Sequence, residues 1–357
     1  DDNNVEIVFR DVVVDDNGDD GIELDLSTSF IDKYAVTFKN VVATGNVGNG
    51  VRATTTTSKP DSHMAYTVDE SNFSNNDGLG FFLDASSGGG DTTVTIDETT
   101  ASDNGDDGIE ITVGADDDDD MLVTITNTVA NDNAGFGIEI VDNRNRQCAF
   151  TAAIEAVTAN NNAMDGIRVD MHSELSFVVD VHDVTASANG DCGVFVESSG
   201  DINATAASAE VMLKKVVAEG NGDGNATDSN VRVVENSDAN LAVQLVDVRT
   251  RGANGGSNVF VQEGDGGDLT VTFDHVVADG SVGASGVEIN EQDGGALIVM
   301  VDGHVSVSNN ADDGLLLTET GGSDTTIVPT LNAVSGADNG GVLVRGVLDG
   351  KTIVMRG

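Results

Sequence analysis

An apolar-polar-apolar triplet recurs twelve times along the 357 residues, each copy directly after a small or turn-favouring residue. These anchors are Gly21, Gly50, Gly78, Gly108, Gly137, Gly166, Gly193, Asn230, Asn258, Gly286, Gly314 and Gly341, spaced by 27 to 30 residues apart from one interval of 37. Glycine and asparagine enter the left-handed backbone region at least cost, so each anchor is expected to carry a positive φ. A fixed period of this length marks a repeat array in which each copy contacts only its neighbours.

The residues one and three places after each anchor are apolar, as in Gly108-Ile-Glu-Ile and Gly166-Ile-Arg-Val. That is period two, a short strand with one buried face. A second strand is expected at Thr93-Val-Thr-Ile, Leu122-Val-Thr-Ile and their equivalents, and a third directly after it, at Asn127-Thr-Val-Ala and His275-Val-Val-Ala. No stretch reads as an amphipathic helix. The expected fold is all-β, a parallel solenoid of about 12 turns of ~28 residues with three short strands per turn. One domain over residues 1–357 is expected, with an irregular turn and enlarged loops at 193–229.

Asparagine stands four places before the anchor in eight copies: Asn17, Asn46, Asn104, Asn133, Asn162, Asn189, Asn254 and Asn310. Stacked turns would set these side chains one above another, each amide donating to its neighbour and to turn carbonyls. Through the pattern N-x-x-x-G-[IV]-x-[IV], as in Asn104 to Ile111 and Asn133 to Ile140, the chain resembles the right-handed parallel β-helix family. That family includes pectate lyase-like proteins, polygalacturonase-like hydrolases, phage tailspikes and many secreted proteins of unknown role. The resemblance implies the fold over nearly the whole chain and nothing specific about chemistry.

Charge bounds the environment. Asp and Glu total 62 against 16 Lys and Arg, a formal net charge of −46. Binding to nucleic acid or to an anionic membrane is disfavoured, and self-repulsion calls for high salt or divalent cations. No apolar run approaches the roughly 18 residues of a membrane span, no signal peptide is read, and the chain opens at Asp1, compatible with a removed leader or an excised piece. No disulfide is expected between Cys148 and Cys192.

Asp-Asn-Gly-Asp-Asp-Gly occurs at Asp16 to Gly21 and again at Asp103 to Gly108. Clustered oxygens on a glycine-rich turn suit Ca²⁺, which makes Asp16, Asp19, Asp20, Asp103, Asp106 and Asp107 candidate ligands; a solvated acidic face is the alternative. Three Asn-x-Ser/Thr sequons, at Asn72, Asn203 and Asn225, are glycosylation candidates.

The middle residue of each triplet should point outward, giving Glu23, Arg52, Gly80, Glu110, Glu139, Arg168, Phe195, Arg232, Phe260, Glu288, Leu316 and Leu343. Adjacent turns then pair Glu23 with Arg52 and Glu139 with Arg168, and set Phe195, Arg232 and Phe260 as a cation–π sandwich. Leu316 and Leu343 extend an apolar strip suited to a contact surface.

No catalytic residues are assigned. The polygalacturonase-like set is missing, since Gly303-His304-Val305 lacks its second glycine, and the cations that a uronate lyase needs are scarce. Aromatic platforms for sugars are few, with no Trp and only Tyr34 and Tyr66. Both ends read as open rungs. The Thr352 to Arg356 strand, with Ile353 and Val354, is expected to stack on the Val5 to Arg10 strand, with Val5 and Ile7, of a second copy. The reading is a secreted, acidic, non-catalytic structural or adhesive β-helix at the cell surface or outside it. Its partners would be itself, end to end or laterally, or surface glycans, with Ca²⁺ as the one cofactor. The rival is a carbohydrate-active or glycan-binding β-helix.

Overall fold

The computed structural model describes residues 4–28, 32–57, 62–87, 90–113, 120–143, 149–172, 176–199, 208–321, 326–327, 334–348 and 351–355, and every regular element among them is a strand. The chain divides into two compact units, Asp1–Phe177 and Val178–Gly357.

The first unit holds β1 (Asn4–Asp15), β2 (Ile22–Thr28), β3 (Lys33–Thr44), β4 (Val51–Thr57), β5 (His63–Asp69) and β6 (Phe81–Ser87). It continues with β7 (Thr92–Asp97), β8 (Ile109–Val113), β9 (Met121–Thr126), β10 (Ile138–Asp142), β11 (Ala149–Glu155) and β12 (Ile167–Met171). The odd-numbered strands form one parallel ladder in chain order and the even-numbered strands another. Along β8, β10 and β12 buried and half-buried residues alternate, and Ile109, Ile111, Ile138, Ile140, Ile167 and Val169 are fully buried. Each such side chain contributes about 1.5–3 kcal/mol on leaving water, so the period-two pattern is what builds the core.

After β13 (Ser176–His182), which spans the boundary, the second unit holds β14 (Val194–Ser198), β15 (Ser208–Lys214), β16 (Val217–Glu219), β17 (Val231–Glu235), β18 (Asn240–Val246) and β19 (Arg249–Arg251). Next come β20 (Val259–Glu263), β21 (Leu269–Asp274), β22 (Val276–Asp279), β23 (Val287–Glu291), β24 (Leu297–Val301) and β25 (Val305–Ser308). The last are β26 (Leu315–Glu319), β27 (Thr326–Ile327), β28 (Val334–Ser335), β29 (Val344–Leu348) and β30 (Lys351–Met355). Here three ladders run in parallel: β15, β18, β21, β24 and β27; β14, β17, β20, β23, β26 and β29; and β16, β19, β22, β25 and β28.

The third strand of each turn is a continuous ladder over β16, β19, β22, β25 and β28 of the second unit, and in the first unit where Val12, Val13, Val14 and Asp15 of β1 pair with Val41, Val42, Ala43 and Thr44 of β3. Between these stretches it shrinks to single bridges, Val42 to Asn72, Asn72 to Thr100, Thr100 to Val129, Val129 to Thr158 and Thr185 to Val217. At three of these corners a hydroxyl ties the chain back. Ser71, Thr99 and Thr128 turn their hydroxyls back onto the carbonyls of Asp69, Asp97 and Thr126, at 2.8–2.9 Å, which folds the corner onto its own strand. The second unit has buried Val216, Val248, Val276 and Val305 at that corner, with no hydroxyl to divert the chain.

Three expectations are corrected. Among the described residues none of the glycine anchors carries a positive φ; the left-handed residues sit five places earlier, at Asp16, Gly45, Asn75, Asp103, Asp132 and Asn161. The anchors are glycine for lack of room. A Cβ on Gly137 would lie 2.5 Å from the Gly166 carbonyl and 2.6 Å from the Asn162 amide of the next turn. Second, two triplets sit two residues further on: Val51 pairs with Phe81 and Leu315 with Val344, so Gly80 and Leu343 hold anchor places while Phe82 and Arg345 point outward. Third, β30 folds back antiparallel on β29, with Ile353 opposite Gly346 and Val354 opposite Arg345, so the last strand does not continue the parallel coil as an open rung. At the other edge Val5 and Ile7 of β1 are half-buried.

Candidate functional site

The asparagine ladder is built as expected and extends further. In the first unit the Nδ2 groups of Asn17, Asn46, Asn76, Asn104 and Asn133 donate to the Oδ1 of the next member, ending on Asn162, at 2.8–3.2 Å. Nδ2 of Asn133 also donates to the Ala101 carbonyl, 3.1 Å away. In the second unit the order is Asn189, Asn221, Asn230, Asn258, Asn310 and Asn339. Two of these are anchors, not turn asparagines. The corner residue of the next turn is Ala253 above Asn230 and Ser281 above Asn258, and those small side chains leave the space that a turn asparagine fills elsewhere. Asn254, expected in the ladder, is exposed and donates to the Gly220 and Gly222 carbonyls instead.

The acidic hexapeptides are largely consumed by the same architecture. Asp16 and Asp103 take the left-handed corner at φ 54 and 58, and Asn17 and Asn104 join the ladder. Asp19 and Asp106 accept the Gly48 and Gly135 amides through their backbone carbonyls. Asp20 and Asp107 accept the next turn's Asn49 and Phe136 amides through Oδ1, at 2.7 and 2.6 Å.

Asp107 does more. With Glu110 of β8 and Glu139 of β10, which are register partners, it forms a group whose ligand oxygens lie within 4.8 Å of one another. Burial pushes the Asp107 carboxyl up to about 7, against the Phe136 amide, and Asp106 and Glu110 add to the rise. Burial likewise lifts Glu139 to about 7, reinforced by Asp107 and Glu110 and opposed by Arg168. Glu110 is raised by burial, with the Thr112 hydroxyl opposing. Arg168 closes one side, its guanidinium 3.1 Å from Asp170, 3.7 Å from Glu139 and 5.6 Å from the Phe136 ring centroid. Three converging carboxylates supply part of the six to eight oxygens of a hard cation, and a cation there would displace the protons that burial otherwise favours. Among the described residues, the other five candidate aspartates join no such group.

The second unit places a different set together. Arg232 lies between Phe195 and Phe260, 5.4 and 4.7 Å from their ring centroids, and donates to the Thr227 carbonyl at 3.0 Å. Glu288 and half-buried Leu316 follow along the same outward line, then Arg345, whose Nε lies 2.9 Å from Asp313. In the first unit Arg52 meets Glu23 at 2.9 Å as the outward register requires. Tyr34 and Tyr66 are core residues, each 1% exposed, and offer no face to a sugar. Cys192 is buried, its thiol directed at the Thr227 carbonyl 3.9 Å away.

Asn225 is exposed and bonded to Asp223, whereas Asn72 sits half-buried in a rung with its Oδ1 sealed. Asn203, Cys148 and the 116–119 and 144–146 acidic and basic residues lie outside the described residues. The feature that sequence reasoning missed is a run of inward glutamates, Glu235, Glu263, Glu291 and Glu319, whose spacing of 28 residues was available as a signal.

Comparison with known families matches residues 1–173 to the family described as right handed beta helix region, which bears out the right-handed parallel β-helix expected for this stretch. No curated protein and no solved structure matches the chain.

Proposed function

We propose that this protein is a non-catalytic structural or adhesive β-helix of the cell surface or extracellular space, stabilised by Ca²⁺ or high salt. The observation that carries the reading is the fate of its polar repeat residues. Ladder asparagines, corner aspartates and pre-anchor aspartates all hold turn to turn, so the repeat is selected for building the solenoid. The −46 charge then makes cations part of the folded state, with Asp107, Glu110 and Glu139 as the place where one is held specifically. Self-association through the β1 edge, where Val5 and Ile7 are only half-covered, belongs to the same proposal.

Melting in NaCl, MgCl₂ and CaCl₂ at matched ionic strength tests it. The melting temperature should rise with NaCl and more with Ca²⁺ than with Mg²⁺, and Glu139→Gln should remove the Ca²⁺ excess. Equal responses to the two divalent ions would leave general screening alone. Sedimentation in the same buffers reads self-association.

A carbohydrate-active reading has one observation in its favour: Asp107 and Glu139 are both poised near 7, the range of a general acid or base, beside the Arg168 cation. New reducing ends or unsaturated products from acidic polysaccharides, lost in Glu139→Gln, would establish it.

A further inference from the structure

The second unit buries a column of glutamates. Glu235, Glu263, Glu291 and Glu319 close β17, β20, β23 and β26, and the parallel register sets each against the next. Their exposure is 0% for the first three and 1% for Glu319. Strand spacing puts successive members about 4.8 Å apart. Ionised carboxylates at that separation in an apolar interior repel one another and forfeit their hydration.

The loops meet only part of the need. Glu263 accepts the Gly267 amide at 2.8 Å and the Asp265 amide at 3.3 Å, both on Oε1. Glu235 takes the Ser237 hydroxyl on Oε1. The second oxygen of each, Oε2, is sealed from solvent and has no hydrogen-bond donor. A carboxylate leaves that oxygen unmet, while a carboxylic acid turns it into a donor.

The surrounding charges do not help. Glu235 faces Asp238 and Asp265, Glu263 faces Glu235 and Glu291, and Glu291 faces Glu319 and Asp268, so the charged groups acting on these three are all acids. A metal ion is the other way to neutralise such a column. Among the described residues, however, no three ligand oxygens of the column lie within 4.8 Å of one another, as they do at Asp107, Glu110 and Glu139.

We propose that this column is a proton-loaded lock, in which carboxylic O–H groups of Glu235 and Glu263 donate along the stack as the asparagine amides do, and whose deprotonation loosens the second unit. Burial pushes Glu263 up to about 8 and Glu235 to about 7, and raises Glu291. The folded carboxyls thus hold protons that the unfolded chain releases near an ordinary Glu pKa of about 4.5. Stability falls as pH climbs from there, and the loss is complete once pH passes about 8. The unit is built to stay closed in acidic to neutral surroundings and to loosen in alkaline ones.

The test uses the full chain and two readouts. Infrared spectra should show a protonated carboxylic acid C=O band at pH 6 that fades between pH 7 and 9, and Glu263→Gln should lose a share of it. Gln donates without a titratable proton, so Glu263→Gln should match wild type at pH 5 and unfold roughly tenfold or more slowly at pH 9. Glu235→Gln is the second variant if the first does not fold. The proposal is overturned if the pH 6 band is unchanged in both variants. It is also overturned if a chelator destabilises wild type but not Glu263→Gln, since that outcome assigns the column to a metal ion.

Discussion

The two units run the same repeat and gather their carboxylates differently. In the first, the last residue of the outward-inward strand is apolar at Val113 and Met171 with a single buried acid, Asp142, between them, and the raised carboxyls converge at Asp107, Glu110 and Glu139. In the second, the equivalent residue is a buried Glu in four successive turns, and the outward line carries Phe195, Arg232 and Phe260. The third corner differs too, tied by the hydroxyls of Ser71, Thr99 and Thr128 in three first-unit turns and opened into a ladder from β16 to β28 in the second unit. A solenoid backbone fixes the register of stacked side chains, and each column is then free to take its own chemistry provided neighbours in that column agree.

Transplanting one column breaks the comparison most severely. Val113→Glu puts an acid at a first-unit position that is 2% exposed and whose register partners are Ala85 and the buried Asp142, a second carboxylate without a column of glutamates around it. We expect a loss of about 3–5 kcal/mol at neutral pH, read by chemical denaturation, and a smaller loss at pH 5. A variant as stable as wild type would show that the second unit's glutamates are not specially accommodated.

Next in size is the anchor. Gly137→Ala drives a Cβ into backbone and ladder atoms that cannot move away, and should cost about 3 kcal/mol. The second unit gives the sharper version. Asn230→Gly loses ladder bonds to Asn221 and Asn258, and Ala253→Asn crowds Asn230, so each alone should destabilise. The double variant re-creates the first unit's arrangement and should recover about 1–3 kcal/mol of coupling in a double-mutant cycle. Simple additivity would refute the exchange of glycine and asparagine between anchor and turn.

The smallest effect is on the outward line. Arg232→Ala removes two cation–π contacts at a half-exposed site and should cost about 0.5–1 kcal/mol, while Arg232→Lys should lose less.

Much of this was legible beforehand because the solenoid repeats its errors as faithfully as its signals. The period, the strand faces, the Glu23–Arg52 and Glu139–Arg168 pairs and most of the ladder follow from spacing alone. The misplaced triplets at Gly78 and Gly341 slipped by two residues, which preserves the inside-outside alternation and is invisible to a period-two test. The role of the anchor glycines was misread because exclusion of a Cβ by the next turn leaves no trace in one copy of the repeat. The glutamate column went unread, since inward Glu violates the expectation that buried strand positions are apolar.

Hydrogen exchange with and without millimolar Ca²⁺, resolved along the chain, tests the account most directly. Added protection should concentrate in the first unit, at the strands around Glu110 and Glu139 and at the Phe136 amide held by Asp107, and should vanish in Glu139→Gln. Uniform protection of both units, or protection confined to the second, would contradict a specific cation site on the first and the division of labour between them.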